Sequence, residues 1–217
     1  MHQTRRTFIG SLPALAIALP ELSSVRLEPD TVVRLKPDTT SQESVGRMTV
    51  APASEPGQRL LVTGTIVGTD GKTALANMRL SVYHTDDAGY YSRPVDDSRN
   101  ARLRGSLVTD ASGRYEIRTI WPGHYPGGGN PRHIHVHLAG PDTPEHWIDR
   151  FLFEGDKYLR SVDVERSAAA GRPFAYVMSM TRGEDGLIRC TRDIRLDRAV
   201  AERNRLVNGW YRNGEEP

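Results

Sequence analysis

The sequence contains very little cysteine, since Cys190 is the single one among 217 residues. One cysteine cannot form an internal disulfide, and a thiolate zinc or iron–sulfur site needs several. Lysine is also scarce, and the arginines are scattered along the chain instead of forming a cluster. The formal net charge is only +2, which gives no basis for binding nucleic acid or an anionic membrane. Any metal ion must therefore be held by ligands other than cysteine.

Long hydrophobic runs are also missing. A short apolar run at residues 12–19 is interrupted by Pro13 and is too short to span a bilayer. It follows the basic pair Arg5 and Arg6, so residues 1–22 are predicted to be a twin-arginine export signal. The protein is then expected in the periplasm or outside the cell, with no membrane attachment after the signal is removed. The alternative is a tail that contains two arginines because the whole protein is rich in arginine.

The length allows one domain with a sizeable core plus tails. Residues 23–57 show no hydrophobic period and contain the near-duplicates VRLEPDT and VRLKPDT, so we expect a low-complexity, unstructured linker. The folded domain is predicted over residues 58–196, with a C-terminal tail at 197–217. Within that tail, residues 197–206 are the only helix-compatible stretch of any length.

Short alternating apolar runs, punctuated by glycine and Asx turns, begin near residue 60. Strands are predicted at residues 60–67 and 78–84, and residues 106–120 are predicted to form a hairpin around a turn at 110–113. Further strands are expected in RHIHVHLAG, FLFEG, FAYVMSM and LIRCTRDIRL. Many short strands at regular turn spacing indicate an all-β sandwich.

Three histidines alternate with apolar residues in one of these strands. On a strand, His133, His135 and His137 project to one side of the sheet, opposite the intervening apolar residues. Neighbouring same-face positions are about 6.5–7 Å apart, so two imidazoles can converge on one ion while a third must reach further. We therefore expect His133 and His135, and not His137, to bind a metal. The alternative is an exposed or hydrogen-bonded pair of strand histidines.

Two loops carry tyrosines that could complete such a site. Tyr125 lies in WPGHYP, a loop restricted by two prolines that leads through a glycine-rich turn directly into the histidine strand. Tyr90 and Tyr91 lie in DAGYYS, just after another strand. A phenol, with a pKa of about 10, is a poor ligand for a soft divalent ion. Iron(III), a hard Lewis acid, can bind it as phenolate.

These segments together resemble the intradiol ring-cleavage dioxygenases, the family that includes catechol and protocatechuate dioxygenases. The resemblance covers residues 60–156, with a Gly-x-Tyr after the second strand, a Pro-Gly-x-Tyr-Pro loop and a His-x-His strand, in that order. It implies Fe(III) held by Tyr91, Tyr125, His133 and His135. It also implies that O₂ cleaves the ring of a small aromatic diol between its two hydroxylated carbons, giving a muconate-type diacid.

The resemblance implies different roles for the two tyrosines. Tyr125 would be the catalytic ligand that leaves the metal when substrate binds, whereas Tyr91 would stay. The family usually carries an arginine three positions before the first histidine, and this chain has Asn130 there. Arg132 is therefore a candidate catalytic cation, although strand alternation directs it to the face opposite His133.

Two other interpretations of the pattern remain open. Small sandwich modules related to transthyretin and to carboxypeptidase regulatory domains share the strand and turn pattern. Those modules have binding or structural roles and no catalytic activity. A cupin-like metal enzyme also uses a His-x-His strand, but it needs a nearby glutamate and a distant histidine. His84, His124 and His146 are expected to be structural or exposed. Intradiol enzymes commonly associate through a helical N-terminal segment, so a homo-oligomer stays open, although residues 23–57 do not look helical.

Overall fold

The computed structural model describes residues 44–207 and 210–211. The predicted export signal and the first part of the predicted linker lie outside the described residues. The strands are β1 (Ser44–Val45), β2 (Arg47–Thr49), β3 (Arg59–Val67), β4 (Arg79–His84), β5 (Leu103–Val108), β6 (Arg114–Ile120), β7 (His133–Gly140), β8 (Thr143–Trp147), β9 (Phe151–Phe153), β10 (Val177–Met178), β11 (Thr181–Arg182), β12 (Ile188–Thr191), β13 (Ile194–Arg195), β14 (Leu206–Val207) and β15 (Trp210–Tyr211). The helices are a 3₁₀ turn (Ser98–Asn100), α1 (Ser161–Ala170) and α2 (Arg198–Arg203). None of the helices in the described ranges is long and apolar enough to cross a membrane.

Two mixed sheets pack as a sandwich, which confirms the predicted all-β class. The first sheet has the order β1-β5-β4-β7-β9-β10, and β8 also pairs with β7. The second has the order β11-β12-β3-β6-β2, with β13 also paired to β3. Strands β14 and β15 form a separate antiparallel pair.

The core lies between the two sheets and fixes which way the histidine strand faces. Ile134, Val136 and Leu138 of β7 are fully buried in the same apolar cluster as Val62 of β3 and Ile117 of β6. Burying each of these side chains stabilises the fold by about 1.5–3 kcal/mol. Because side chains alternate along a strand, the residues between them must project from the outer face of the first sheet. The candidate ligands therefore lie outside the core.

The predicted hairpin at residues 106–120 is wrong. Strand β5 pairs with β4 in the first sheet, whereas β6 pairs with β3 in the second. The turn is real, because the Asp110 carboxylate accepts hydrogen bonds from the backbone N–H groups of Ser112 and Arg114. Such an Asx turn reverses the chain without specifying the partner of either strand. Here it carries the chain from one sheet to the other.

The predicted linker differs from the structure at its C-terminal end. Within residues 44–57, β1 pairs in parallel with β5 and β2 pairs in parallel with β6, and Met48 is buried in the core. Strands of two and three residues are too short to show the two-residue period that sequence analysis relies on. These two short strands are ordered because they pair with the longer strands β5 and β6.

Helix α1 was not predicted, while α2 lies within the helix-compatible stretch. The buried residues of α1 are Asp163 and Ser167, so the helix has no apolar stripe to detect. Asp163 accepts two hydrogen bonds from Arg160, and the Ser167 hydroxyl accepts one from the Val177 N–H. Helix α2 begins after Asp197, whose carboxylate accepts hydrogen bonds from the N–H groups of Ala199 and Val200.

Candidate metal centre

Four side chains from three segments converge at the start of β7. They are Tyr91, Tyr125, His133 and His135, here called the tetrad. The Tyr91 hydroxyl lies 2.8 Å from His135 Nε2 and 3.4 Å from His133 Nε2, and the Tyr125 hydroxyl lies 3.0 Å from His133 Nε2. The two Nε2 atoms are 3.0 Å apart, and the two tyrosine hydroxyls are in direct contact. The structure thus brings together all four residues predicted from the sequence.

Three separations within the tetrad, those from His133 Nε2 to Tyr91, to Tyr125 and to His135, match the spacing between ligands of one metal ion. When ligand atoms lie about 2.0–2.1 Å from a shared ion at tetrahedral or octahedral angles, neighbouring ligand atoms are roughly 2.9–3.4 Å apart. The donor set combines two phenols, which bind as hard anionic oxygens, with two imidazoles. Such a set suits a hard, highly charged ion with some affinity for nitrogen, such as iron(III).

The hydrogen bonding and burial of the histidines prepare them as ligands. The Nδ1–H of His133 donates to the Pro131 carbonyl at 2.7 Å, which leaves the Nε2 lone pair free to face the tetrad. Burial lowers the pKa of His133 to about 4, and burial also lowers the pKa of His135. Both rings are therefore neutral at neutral pH, which is the form that binds a metal.

Two glycines allow the tyrosine loops to meet. Gly89, with φ of 90°, lies so close to the other loop that a Cβ there would sit 1.8 Å from the His124 carbonyl oxygen. A Cβ on Gly123 would sit 2.4 Å from the Asp87 carbonyl oxygen. The Gly123 N–H donates to the Asp86 carbonyl at 2.9 Å, which joins the loops backbone to backbone. A side chain does not fit at the glycines of Gly-x-Tyr and Pro-Gly-x-Tyr, and their absence of a Cβ lets the two tyrosines reach one point.

Tyr91 is held by its own loop and by a segment anchored through an ion pair whose carboxylate is buried. Its N–H donates to the Asp96 carboxylate at 2.6 Å, and its carbonyl accepts from the Arg102 N–H at 2.7 Å. The Arg102 guanidinium forms a two-pronged ion pair with Glu55 at 2.5 and 2.8 Å. Hydrogen bonding from Arg102 lowers the pKa of the Glu55 carboxyl. These contacts brace a tyrosine that is only 7% exposed.

Tyr125 is more accessible than Tyr91. Its ring is half-buried, and the glycine-rich turn at residues 127–129 follows it directly. An added Cβ at Gly127 or Gly129 would meet nothing within 4 Å, whereas one at Gly128 would lie 2.7 Å from the Tyr158 hydroxyl. The two tyrosines therefore differ in exposure as well as in position.

The other histidines in the described part of the chain do not join the tetrad. His84 is fully buried and hydrogen-bonded at both ring nitrogens, to the Thr85 carbonyl and the Thr119 hydroxyl. His137, which strand spacing excluded as a ligand, lies 3.4 Å from Glu145 and packs edge-on against Trp147. His124 bonds to Asp156, and His146 bonds to the Pro144 carbonyl, so each has a structural partner.

The guanidinium of Arg132, the catalytic cation predicted from the sequence, is engaged away from the tetrad donor atoms. Its guanidinium stacks over the Trp121 ring at 4.2 Å, donates to the Pro122 carbonyl at 2.9 Å and lies 3.8 Å from Asp156. None of the four tetrad donor atoms is among its hydrogen-bond partners. This agrees with the strand alternation that directs residue 132 away from His133.

Several residues around the tetrad were missed by the sequence analysis. Tyr83 stacks on the His135 ring with centroids 4.4 Å apart and planes 9° apart. Its position on β4, paired with His135 in register, offered an alternation signal that could have found it. Arg102 and Glu55 carried no local signal, because their ion pair joins residues 47 positions apart. Asp96, which bonds to the Tyr91 N–H five positions away, was also missed.

The alternative interpretations lose support at this site. Among the described residues, no group of three or more histidine, cysteine, aspartate or glutamate side chains could hold a metal, so the cupin-type ligand set is not present there. A non-catalytic sandwich module gives no reason to bury two histidines and two tyrosines with their polar atoms facing one another.

Comparison with known proteins agrees with this geometry. A family described as Dioxygenase matches residues 34–198. The chain is 34% identical over 113 residues to the protocatechuate 3,4-dioxygenase beta chain of Burkholderia cepacia, covering 48% of each protein. It is 33% identical over 135 residues to catechol 1,2-dioxygenase of Acinetobacter baylyi, covering 54% of this chain and 43% of that one. The chain thus spans about half the length of the curated relatives it matches.

Solved structures show the same relationship. The dioxygenase domain of a dioxygenase and carbohydrate-binding fusion protein from Streptomyces sp. SirexAA-E superposes with a TM-score of 0.54 at 28% identity, covering 72% of this chain and 90% of that one. Catechol 1,2-dioxygenase from Acinetobacter sp. ADP1 gives a TM-score of 0.54 at 26% identity, covering 77% of this chain and 59% of that one. The family match over most of the chain, together with the fold, leads to one conclusion: this protein belongs to the intradiol ring-cleavage dioxygenase family.

Proposed function

We propose that this protein is an iron(III) dioxygenase that cleaves the ring of a catechol-type diol between its two hydroxylated carbons. The observation that carries the proposal is the tetrad, whose four donor atoms face one another at ligand-to-ligand distances. Family membership supports the same chemistry. The substrate is proposed only as a class, a small aromatic with two adjacent hydroxyl groups.

Tyr91, Tyr125, His133 and His135 would hold the iron. When bound, iron(III) would take both oxygens of the diol and make the ring reactive toward O₂. Both oxygen atoms enter the product, so catechol, C₆H₆O₂, and O₂ balance as the diacid C₆H₆O₄. No external reductant is needed.

The protein's own groups would manage the protons of the diol. A diol loses both hydroxyl protons when its two oxygens bind as anions, and each proton needs an acceptor. Tyr125, which is more exposed than Tyr91, would accept one of the two protons, and a hydroxide or water from solvent would accept the other. Tyr91, braced by Asp96 and Arg102, would stay as a permanent ligand. The neutral His133 and His135 would keep their lone pairs on the metal throughout.

The proposal is tested on the purified protein loaded with iron. We expect about one iron per chain and a broad visible band from tyrosinate bound to iron(III). Addition of catechol without oxygen should shift that band to longer wavelength, and admission of O₂ should then yield a muconate-type product detected by mass spectrometry. A colourless protein that holds zinc at full occupancy, or a product cleaved outside the diol, would refute the proposal.

A further inference from the structure

A β-bulge lies opposite the tetrad histidines. The register of β7 places His137 opposite Trp147 of β8 and Ile134 opposite Phe151 of β9. Residues 148–150 therefore face only residues 135 and 136 of β7. The segment between β8 and β9 thus carries one extra residue beside His135. Bulges of this kind redirect side chains and occur often next to active sites.

The bulge directs Arg150 to the face that carries the tetrad. Phe151 is fully buried in the core and pairs with Ile134, so the residue before it projects to the opposite side. That side is the one from which His133 and His135 project. The bulge is fixed from the second sheet, because the buried Arg192 donates to the Asp149 carbonyl at 2.8 Å.

Asp163 is not the partner of Arg150, because its carboxylate is bonded to Arg160 at 2.7 and 2.9 Å.

Within the described part of the chain, Arg150 has neither a hydrogen bond nor an ion pair through its guanidinium. It is nevertheless half-buried. A guanidinium that is partly removed from water without a partner is unfavourable unless an anion joins it. The chain supplies no such anion at this position, whereas a deprotonated diol brings two negative oxygens to the tetrad.

We propose that Arg150 is a substrate-binding residue whose guanidinium contacts the deprotonated diol oxygens at the tetrad. This inference rests on the proposed function and adds a residue to it. It also supplies the cation that Asn130 and Arg132 do not provide. A planar, permanently charged guanidinium is well suited to pair with two adjacent anionic oxygens.

The test is an anaerobic spectral titration of iron-loaded protein with catechol and with 3,4-dihydroxybenzoate. We expect Arg150→Gln to raise the dissociation constant of both ligands by roughly 10- to 100-fold, the range for losing a charged hydrogen bond. Arg150→Lys should lose less affinity than Arg150→Gln, because the charge remains although the two-pronged geometry is lost. Arg114→Gln is the matched control, since Arg114 is an exposed arginine on the other sheet, and its dissociation constants should not change.

The outcomes separate this inference from the proposed function. Failure of the wild-type protein to bind either ligand would contradict the proposed function itself. Unchanged affinity in Arg150→Gln, or a loss as large in Arg150→Lys, would overturn the role of Arg150 alone. A loss limited to 3,4-dihydroxybenzoate would also overturn it, because Arg150 would then contact the ring carboxylate and not the diol. Equal iron content and far-ultraviolet circular dichroism in all variants ensure that binding, and not folding, is compared.

Discussion

Replacing Gly89 by alanine should separate assembly of the tetrad from assembly of the sandwich. The added Cβ would lie 1.8 Å from the His124 carbonyl oxygen, and the residue would keep a φ of 90° that alanine rarely adopts. A comfortable contact between a carbon and a carbonyl oxygen is about 3.2 Å or more, so the two loops must separate by roughly 1.4 Å. The obstacle is backbone on both sides, which cannot be relieved by a change of rotamer.

The size of the effect follows from two costs. Positive φ at a non-glycine residue costs about 1–3 kcal/mol, and overpacking costs about as much. A combined loss of about 3 kcal/mol should lower the melting temperature by about 6–12 °C in a domain of this size. A shift of roughly 1.4 Å also far exceeds the ±0.2 Å tolerance of metal–ligand distances, so we expect iron retention to be lost.

The assay compares thermal unfolding by circular dichroism with iron content after gel filtration. Gly127→Ala is the control, because it lies in the same tyrosine loop as His124 and an added Cβ there meets nothing within 4 Å. That variant should unfold and hold iron as the wild type does. If Gly89→Ala keeps both the wild-type melting temperature and the wild-type iron content, the close approach of the two loops is not what assembles the tetrad.

Three further predictions follow. Alanine at His133 or His135 should abolish iron retention, measured as metal per chain, while the fold remains. Tyr125→Phe should keep iron but lose about 100-fold or more in kcat, whereas Tyr91→Phe should weaken iron retention and shift the visible band. Burial lowers the pKa of His84 to about 4. Below pH of about 6.5, the unfolded chain therefore binds a proton at His84 that the folded protein does not bind. The free energy of unfolding should fall by about 3 kcal/mol as the pH drops from 6.5 to 4. His84→Gln should remove that part of the pH dependence in urea unfolding.

Controls for these predictions come from residues next to the ones changed. His137→Ala removes a histidine from the same face of β7 and should leave iron content unchanged, because His137 packs on Trp147 instead of facing the tetrad. Equal iron loss in this variant would mean that the metal is not held by the first two histidines alone. A Tyr125→Phe enzyme with wild-type kcat would remove Tyr125 from the proton transfers. An unchanged pH slope in His84→Gln would show that another group governs acid destabilisation.

The alternation of histidine and apolar residues on β7 predicted both the face of the ligands and the exclusion of His137. The face was predicted correctly because side chains alternate between the two faces of a strand. Ile134, Val136 and Leu138 fix which of those faces is in the core. The tyrosine loops were identified from their glycines and prolines. Their convergence could not be calculated from the sequence, since it depends on the contact between Gly89 and the His124 carbonyl across two loops.

Other features left no local signal. The turn at residues 110–113 reverses the chain, but whether β5 and β6 pair with each other is decided by competition with β3 and β4 for the same edges. Helix α1 buries an ion-paired aspartate and a serine instead of an apolar stripe. The ion pair between Arg102 and Glu55 joins residues 47 positions apart. Each of these depends on tertiary contacts that pattern analysis does not reach.

The position of the tetrad on the outer face of a sandwich has a consequence for how the site tolerates change. The core behind β7 is apolar and closely packed, so its backbone holds His133 and His135 rigidly. The tyrosines come from loops held by backbone bonds, by the Asp96 carboxylate and by the ion pair of Arg102 with Glu55. Substitutions in the loops away from the close contact of Gly89 with His124 should therefore alter substrate binding with little cost to the fold. Substitutions of the apolar residues between the histidines should instead unfold the sheet before they change the chemistry.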